Sequence, residues 1–325
     1  MRALGLMLPL LLIGAVPAQT ADWAAQRAEW NKPRPPFRVV GNVYYVGVGG
    51  ISAWLITGAE GHILIDGALP ESVPQISANI RALGFRVEDV RILLNNHAHF
   101  DHAGGLAELK RLTGARLFAS AGDKPDLERG STEGRGELPG FEPVRVDRVI
   151  GEGTHVRLGA IDLVTHLTPG HTRGCTSWSM RTAEHGKPLE VLFACSLSVA
   201  GEDVTGKPPY SQAARDFRSS FAALRRMHAD VYLGYHPPAF DLDAKRGRQL
   251  AGDPMAFVDT SELAKRVDAA EQAFEAELAR QQAKGSVAKC RSLPISSNQA
   301  FSAKRNAMRC ATGRSSKPMS SAPRR

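Results

Sequence analysis

Apolar residues along the chain recur at two periods, every second position and then every third or fourth, and this order occurs twice. In the first half Arg38–Val40, Val43–Val48, Ala53–Thr57 and His62–Asp66 read as strands, with Gly58–Gly61 turning between the last two. Val73, Ile76, Ile80 and Leu83 then fall at helical spacing and stop at Gly84. The apolar strand Val90–Leu94 comes next. A helix begins near Asp101, carries Leu106, Leu109 and Leu112, and closes at Gly114, before a further strand at Arg116–Ala119. In the second half Val144–Ile150, His155–Leu158, Ile161–Leu167, Ser177–Arg181 and Leu189–Ala194 are predicted strands. Phe217, Phe221 and Leu224 mark a helix and Asp230–Leu233 a last strand. Leu263, Val267, Ala270, Phe274 and Leu278 mark a terminal helix capped by Thr260 or Ser261. Two halves, each strands first and helices after, predict an α/β protein with two sheets packed as a sandwich and helices outside. A single alternating parallel sheet fits less well.

The connecting segments carry their own signals. Asp22–Pro36 is polar, contains two tryptophans and ends in Lys32-Pro33-Arg34-Pro35-Pro36, which predicts an extended arm. Gly47-Val48-Gly49-Gly50-Ile51 is flexible enough for a flap, or is an ordinary glycine-rich turn. Gly122–Gly140 is long enough to border a substrate cleft, or is a solvated insertion. Residues 1–18 have the form of a signal peptide: Arg2, the apolar run Leu4–Val16, and a small-residue cleavage site before Gln19. That run is too short for a membrane span. The mature protein, from Gln19 onward with residues 19–283 as its folded domain, is therefore expected to be exported, to the periplasm in a Gram-negative host, with no stable membrane insertion.

The formal charge of +8 is misleading, because ten of the 41 basic residues and no acid lie from Lys284 to the end. The remaining 31 stand against 33 acidic residues, so the body is near neutral and no nucleic-acid face is expected on it. Residues 284–325 are Ser-, Lys- and Arg-rich without periodicity and predict a disordered tail. Of the four cysteines, Cys290 and Cys310 fall in this tail and no C-x-x-C pair occurs, so no obligatory disulfide is expected. Cys175 and Cys195 read as packed small apolar residues, with a thiolate ligand as the alternative for Cys195.

The densest chemistry is in Asn95–Gly105, NNHAHFDHAGG, where His97, His99, Asp101 and His102 follow the apolar strand within six residues. Two imidazoles two residues apart, leaving a strand, can point at one metal ion. The Asp101–His102 pair opens a helix and can turn toward a second. Imidazole and carboxylate donors suit Zn²⁺ or a similar divalent metal. His171, in Thr168-Pro169-Gly170-His171-Thr172, and His236, in Gly234-Tyr235-His236-Pro237, recur directly after predicted strands. Strand ends of one sandwich edge converge, so six ligands from three loops are geometrically reasonable. His62, His155, His166, His185 and His228 lack that context and read as structural or solvated.

The order H-x-H-x-D-H, then G-H-T, then a late histidine resembles the metallo-β-lactamase superfamily, over about Val43 to Leu278. The resemblance implies a four-layer αβ/βα sandwich. Where many dinuclear relatives place a bridging Asp, this chain has Ala194-Cys195-Ser196-Leu197-Ser198, which is similar to the third subclass, B3. The resemblance then implies two zinc ions per chain, one on His97, His99 and His171, the other on Asp101, His102 and His236. Asp101 would also orient the attacking water as the catalytic residue, and Ser196 and Ser198 would contact the substrate carboxylate. The implied activity is hydrolysis of β-lactam antibiotics by a monomer. No residue is assigned to the oxyanion, since Tyr210 falls too late in the sequence. The rivals are a lactonase or thioesterase of the same fold, a nuclease, which would want a basic body, and a zinc carrier without catalysis.

Overall fold

The computed structural model describes residues 22–291; the expected signal peptide and the chain from residue 292 onward lie outside the described residues. A short helix, α1 (Trp23–Trp30), precedes the antiparallel meander β1 (Phe37–Val40), β2 (Val43–Tyr45), β3 (Trp54–Gly58) and β4 (Gly61–Ile65). Helix α2 (Val73–Ala82) crosses back so that β5 (Val90–Leu94) pairs with β4 in parallel. Helices α3 (Phe100–Ala103) and α4 (Leu106–Thr113) lead to β6 (Arg116–Ser120), and α5 (Lys124–Arg129) precedes β7 (Arg148–Ile150). Both strands extend the sheet in parallel, giving seven strands in chain order.

The second sheet is a meander of β8 (His155–Leu158), β9 (Ile161–Leu167), β10 (Thr176–Glu184) and β11 (Lys187–Phe193). After α6 (Ala213–Leu224), β12 (Val231–Leu233) joins β11 in parallel. Helices α7 (Leu242–Leu250) and α8 (Glu262–Arg291) complete the described chain. Among the described residues no helix is long and apolar enough to cross a membrane.

Both faces of the first sheet are buried, which is why β4 and β5 read as unbroken apolar runs. Ile63, Ile65 and Leu94 face the second sheet with Trp54, whose ring lies 6.1 Å from Phe193 of β11. Leu64 and Leu93 point the other way and pack under Ile76 and Ile80 of α2 and Leu106 and Leu109 of α4. Beyond the second sheet, Phe217 and Phe221 of α6 sit 5.1 and 5.8 Å from Phe274 of α8. The layers are helix, sheet, sheet, helix, an α/β four-layer sandwich. Each fully buried ring contributes on the order of 2 kcal/mol through removal from water.

Several expectations need correction. The arm is helical over Trp23–Trp30, because the Asp22 side chain caps the Ala25 N–H and Ala, Gln, Arg and Glu fill the next turns. Of the two readings of the glycine segment, flap or ordinary turn, the structure shows the turn, packed in place: Gly49 and Gly50 donate to the carbonyls of Lys32 and Trp30, and Val48 and Ile51 are fully buried. The helix expected from Asp101 to Gly114 is broken at Gly104-Gly105. A Cβ on Gly105 would lie 2.3 Å from the Gly67 carbonyl, so this close approach requires glycine. The last helix passes the expected boundary at Lys284 and continues to Arg291, since Lys, Ala and Arg there favour helix and one glycine is tolerated.

Cys175 and Cys195 are joined in a disulfide, against expectation. Strands β10 and β11 pair with Trp178 opposite Phe193, and the next residues outward bring the two cysteines to a Cα separation of 5.9 Å. Closing a loop of this length constrains the unfolded chain. Replacing both cysteines by alanine is expected to lower unfolding free energy by about 2–4 kcal/mol. Urea denaturation in chelator, which removes metal linkage, reads this directly. An unchanged midpoint would show that the bridge does not stabilise the fold.

Candidate metal centre

The C-terminal ends of six strands meet on one rim of the sandwich. Strand β4 delivers Asp66, β5 delivers Asn95 to His99, β6 delivers Asp123, β9 leads to His171, β11 to Ser196 and Ser198, and β12 to His236. Parallel strands present their C-terminal ends together, and α3 places Asp101 and His102 beside the β5 loop.

His97, His99 and His171 have ring nitrogens within 4.8 Å of one another, as do donor atoms of His97, Asp101 and His102. The Nε2 atoms of His97 and His171 are 3.2 Å apart. Two imidazoles bound tetrahedrally at about 2.0–2.1 Å from one metal would be separated by nearly this distance. His236 Nε2 lies 3.2 Å and His102 Nε2 3.5 Å from the same oxygen, Asp101 Oδ2. Thus all six sequence-predicted ligands converge. His99 Nε2 and His102 Nε2 are buried without a hydrogen-bond partner, as donor atoms awaiting a cation would be.

The outward nitrogens of three rings are fixed. His171 Nδ1 donates to the Ser198 carbonyl at 2.7 Å, His236 Nδ1 to the Gly50 carbonyl at 2.6 Å, and His102 Nδ1 to Asp66 Oδ2 at 3.0 Å. Each bond leaves Nε2 as the inward donor atom. Asp66 also accepts from the Asn95 side chain and the Asn96 N–H, and it holds a left-handed backbone conformation with φ of 66°. Asp123 joins the two ligand loops, accepting from the N–H groups of Ala98 and Gly174 and from the Thr172 hydroxyl.

Burial holds His97 and His99 well below the ordinary imidazole range and brings His171 down to about 4, so all three are neutral donors at pH 7. Burial alone would raise the Asp101 carboxyl, but His102 and His236 outweigh it and keep the group ionised. Burial likewise opposes charge on His102, yet Asp101 and Asp66 raise it above its ordinary value.

A cleft of about 240 Å³ opens onto these groups, walled by Trp23, Trp30, Phe100, Leu138 and Tyr235, with Arg135 and Ser198 at its edge. The Trp23 ring is 5.1 Å from Phe100, its Nε1 donates to the Glu137 carbonyl, and Trp30 lies 5.3 Å from His236. Trp23 and Trp30 come from α1, which sequence alone read as an extended arm, and Leu138 from the Gly122–Gly140 loop, which it read as either a cleft border or a solvated insertion. The Asp22 cap before a run of helix formers was the available signal for α1. Ser198 faces the cleft, whereas Ser196 is buried, its hydroxyl 3.0 Å from that of Ser198. Tyr210 is buried elsewhere, donating to Asp216. Cys195 is committed to its disulfide and is not a thiolate ligand.

The profile of the Metallo-beta-lactamase superfamily matches residues 46–236. Among solved structures, the chain is similar to BJP-1, a subclass B3 metallo-β-lactamase of Bradyrhizobium japonicum, at 42% identity and a TM-score of 0.76, covering 79% of this chain and 98% of that one. This chain belongs to the subclass B3 metallo-β-lactamases. The native FEZ-1 metallo-β-lactamase of Legionella gormanii is also similar, at 36% identity and a TM-score of 0.75, over 78% of this chain and 98% of that one. A hydroxyacylglutathione hydrolase of Rhodospirillum rubrum is 34% identical over 111 residues, 34% of this chain and 35% of that protein. The match thus spans about a third of that curated relative. Membership of this superfamily implies a divalent metal, typically zinc, and the donor set on this B3 rim fits one.

Asp66→Ala removes the partner that orients His102. It is expected to weaken divalent-metal binding about 10–100-fold. Competition against a chromophoric chelator measures this, and unchanged affinity would leave Asp66 with a folding role only.

Proposed function

We propose that the chain is a β-lactamase that binds two zinc ions and hydrolyses the cyclic amide of penicillins, cephalosporins and carbapenems. The observation that carries this reading is the rim itself: six convergent imidazole and carboxylate donors beside a Ser-Leu-Ser strand end, in a chain similar to solved B3 enzymes over nearly their whole length. His97, His99 and His171 would hold one ion, and Asp101, His102 and His236 the other. When bound, the metal supplies Lewis acidity toward the carbonyl and makes water a competent nucleophile near neutral pH.

The chain's own residues do the rest. Asp101, kept ionised by His102 and His236, accepts a proton-bearing hydrogen bond from the attacking water and aims it. The walls of Trp23, Trp30, Phe100 and Leu138 give the substrate an apolar bed and limit bulk water. The Ser198 hydroxyl offers a hydrogen bond at the cleft edge. No G-x-S-x-G motif occurs in the chain, and its one S-x-x-K, Ser286–Lys289, lies near the end of α8, with Ser286 outside the cleft lining, so neither supplies a protein nucleophile there.

The hydroxyacylglutathione hydrolase match favours a second reading, a thioesterase. Against it stands the segment Ala194–Ser198, which holds no carboxylate where the superfamily resemblance implies a bridging Asp in many dinuclear hydrolases.

Purified protein is expected to hydrolyse a carbapenem and a chromogenic cephalosporin with zinc, to lose the activity in chelator and to regain it on zinc addition. Absence of turnover with two ions demonstrably bound would favour the thioesterase. Asp101→Ala should lower kcat by at least about 100-fold with KM within a few-fold. Near wild-type kcat in a fully metallated variant would remove the role given to Asp101.

A further inference from the structure

Classical β-lactams carry an ionised carboxylate next to the lactam nitrogen, and an anion is best recognised by a charged donor. The two serines of the Ser-Leu-Ser segment supply at most neutral hydrogen bonds, and Ser196 is 1% exposed with its hydroxyl turned to Ser198. One arginine, Arg135, lines the metal cleft, and no lysine does, among the described residues. It comes from the Gly122–Gly140 loop and shares the cleft lining with His99, His171 and Ser198, its Nη2 held against Ala200.

The guanidinium is held from behind. Nε donates to Glu137, Nη1 lies 3.4 Å from Glu202 Oε2, and Nη2 donates to the Ala200 carbonyl at 2.7 Å. Neither Glu137 nor Glu202 lines the cleft. Three of five N–H bonds are thereby used, leaving one hydrogen on each Nη without a protein partner among the described residues. The side chain is only 9% exposed, so a ligand anion meeting it would do so with little competing water. Glu202 is anchored in turn, its carbonyl accepting from Gln281 of α8. The fork is thus fixed before substrate arrives.

We propose that Arg135 is the anion-recognising residue of the cleft, its two free Nη hydrogens taking the ring carboxylate of the substrate. Ser198, in the segment after β11, then assists with its hydroxyl. This rests on the β-lactamase reading and adds a specificity determinant to it. Because Arg135 also braces Ala200, two steps from Ser198, a loss of activity on mutation does not by itself separate recognition from bracing.

A substrate pair separates them: one cephalosporin as the free acid and as its carboxylate methyl ester, turned over by the zinc-loaded wild type, Arg135→Gln and Arg135→Lys. Glutamine removes the charge and both Nη groups while keeping an amide nitrogen at the position of Nε, so its loss of the Ala200 brace is common to acid and ester. The wild type is expected to prefer the acid by about 10- to 100-fold in kcat/KM, the worth of one charge-assisted contact. R135Q should raise KM for the acid by that factor, leave the ester within about threefold, and bring the two substrates together. R135K should restore part of the preference, since it keeps the charge and loses the fork. An R135Q enzyme that loses acid and ester equally, or retains the wild-type preference, overturns the proposal. If R135Q does not fold, the wild type still decides, because equal kcat/KM for acid and ester there excludes an anion clamp. A metallated wild type inactive on every β-lactam refutes the underlying reading instead.

Discussion

Burying several imidazoles around one point is tolerable only if each ring is held by its far side and its near side has a cation to meet. Three outer contacts supply the first condition: Asp66 for His102, the Ser198 carbonyl for His171 and the Gly50 carbonyl for His236. They come from the end of β4, the loop after β11 and the glycine turn before β3. The site therefore depends on segments that contribute no ligand. Without these partners the rings would be free to rotate, and the inward nitrogens would not be aimed at a common centre.

The same rim is bound together across the sandwich. Asp123, at the end of β6 in the first sheet, holds both the Ala98 and Gly174 amides, so the first ligand loop and the one carrying His171 share one carboxylate. The disulfide fixes the second sheet on the other side, between the start of β10 and the end of β11. Packing places the loops, and this cross-linking sets their relative position to within hydrogen-bond distance.

Much of this was legible in the chain. Periods of two and of three to four, with unbroken apolar runs, predicted nearly every strand and the main helices, because strands such as β9 bury one face while β4 and β5 bury both. The six donors were legible because His97 to His102 are dense and His171 and His236 repeat the strand-end context. What escaped was long-range. The pairing of Cys175 with Cys195 depends on strand register rather than spacing. The roles of Asp66 and Asp123 depend on which loops neighbour them in space. Arg135 sits in a loop whose sequence does not say whether it faces solvent or a cleft. The α1 helix was hidden by the proline-rich stretch that follows it, which outweighed the Asp22 cap.

Helix α1 has a practical consequence. Trp23, the second described residue, rests against Phe100 and is tied to Glu137 at the cleft wall. Whatever is joined upstream of Asp22 therefore leaves the fold at the substrate entrance. An affinity tag or fusion partner placed there would crowd the opening, whereas a small fluorophore at the same point would sit within range to report what enters.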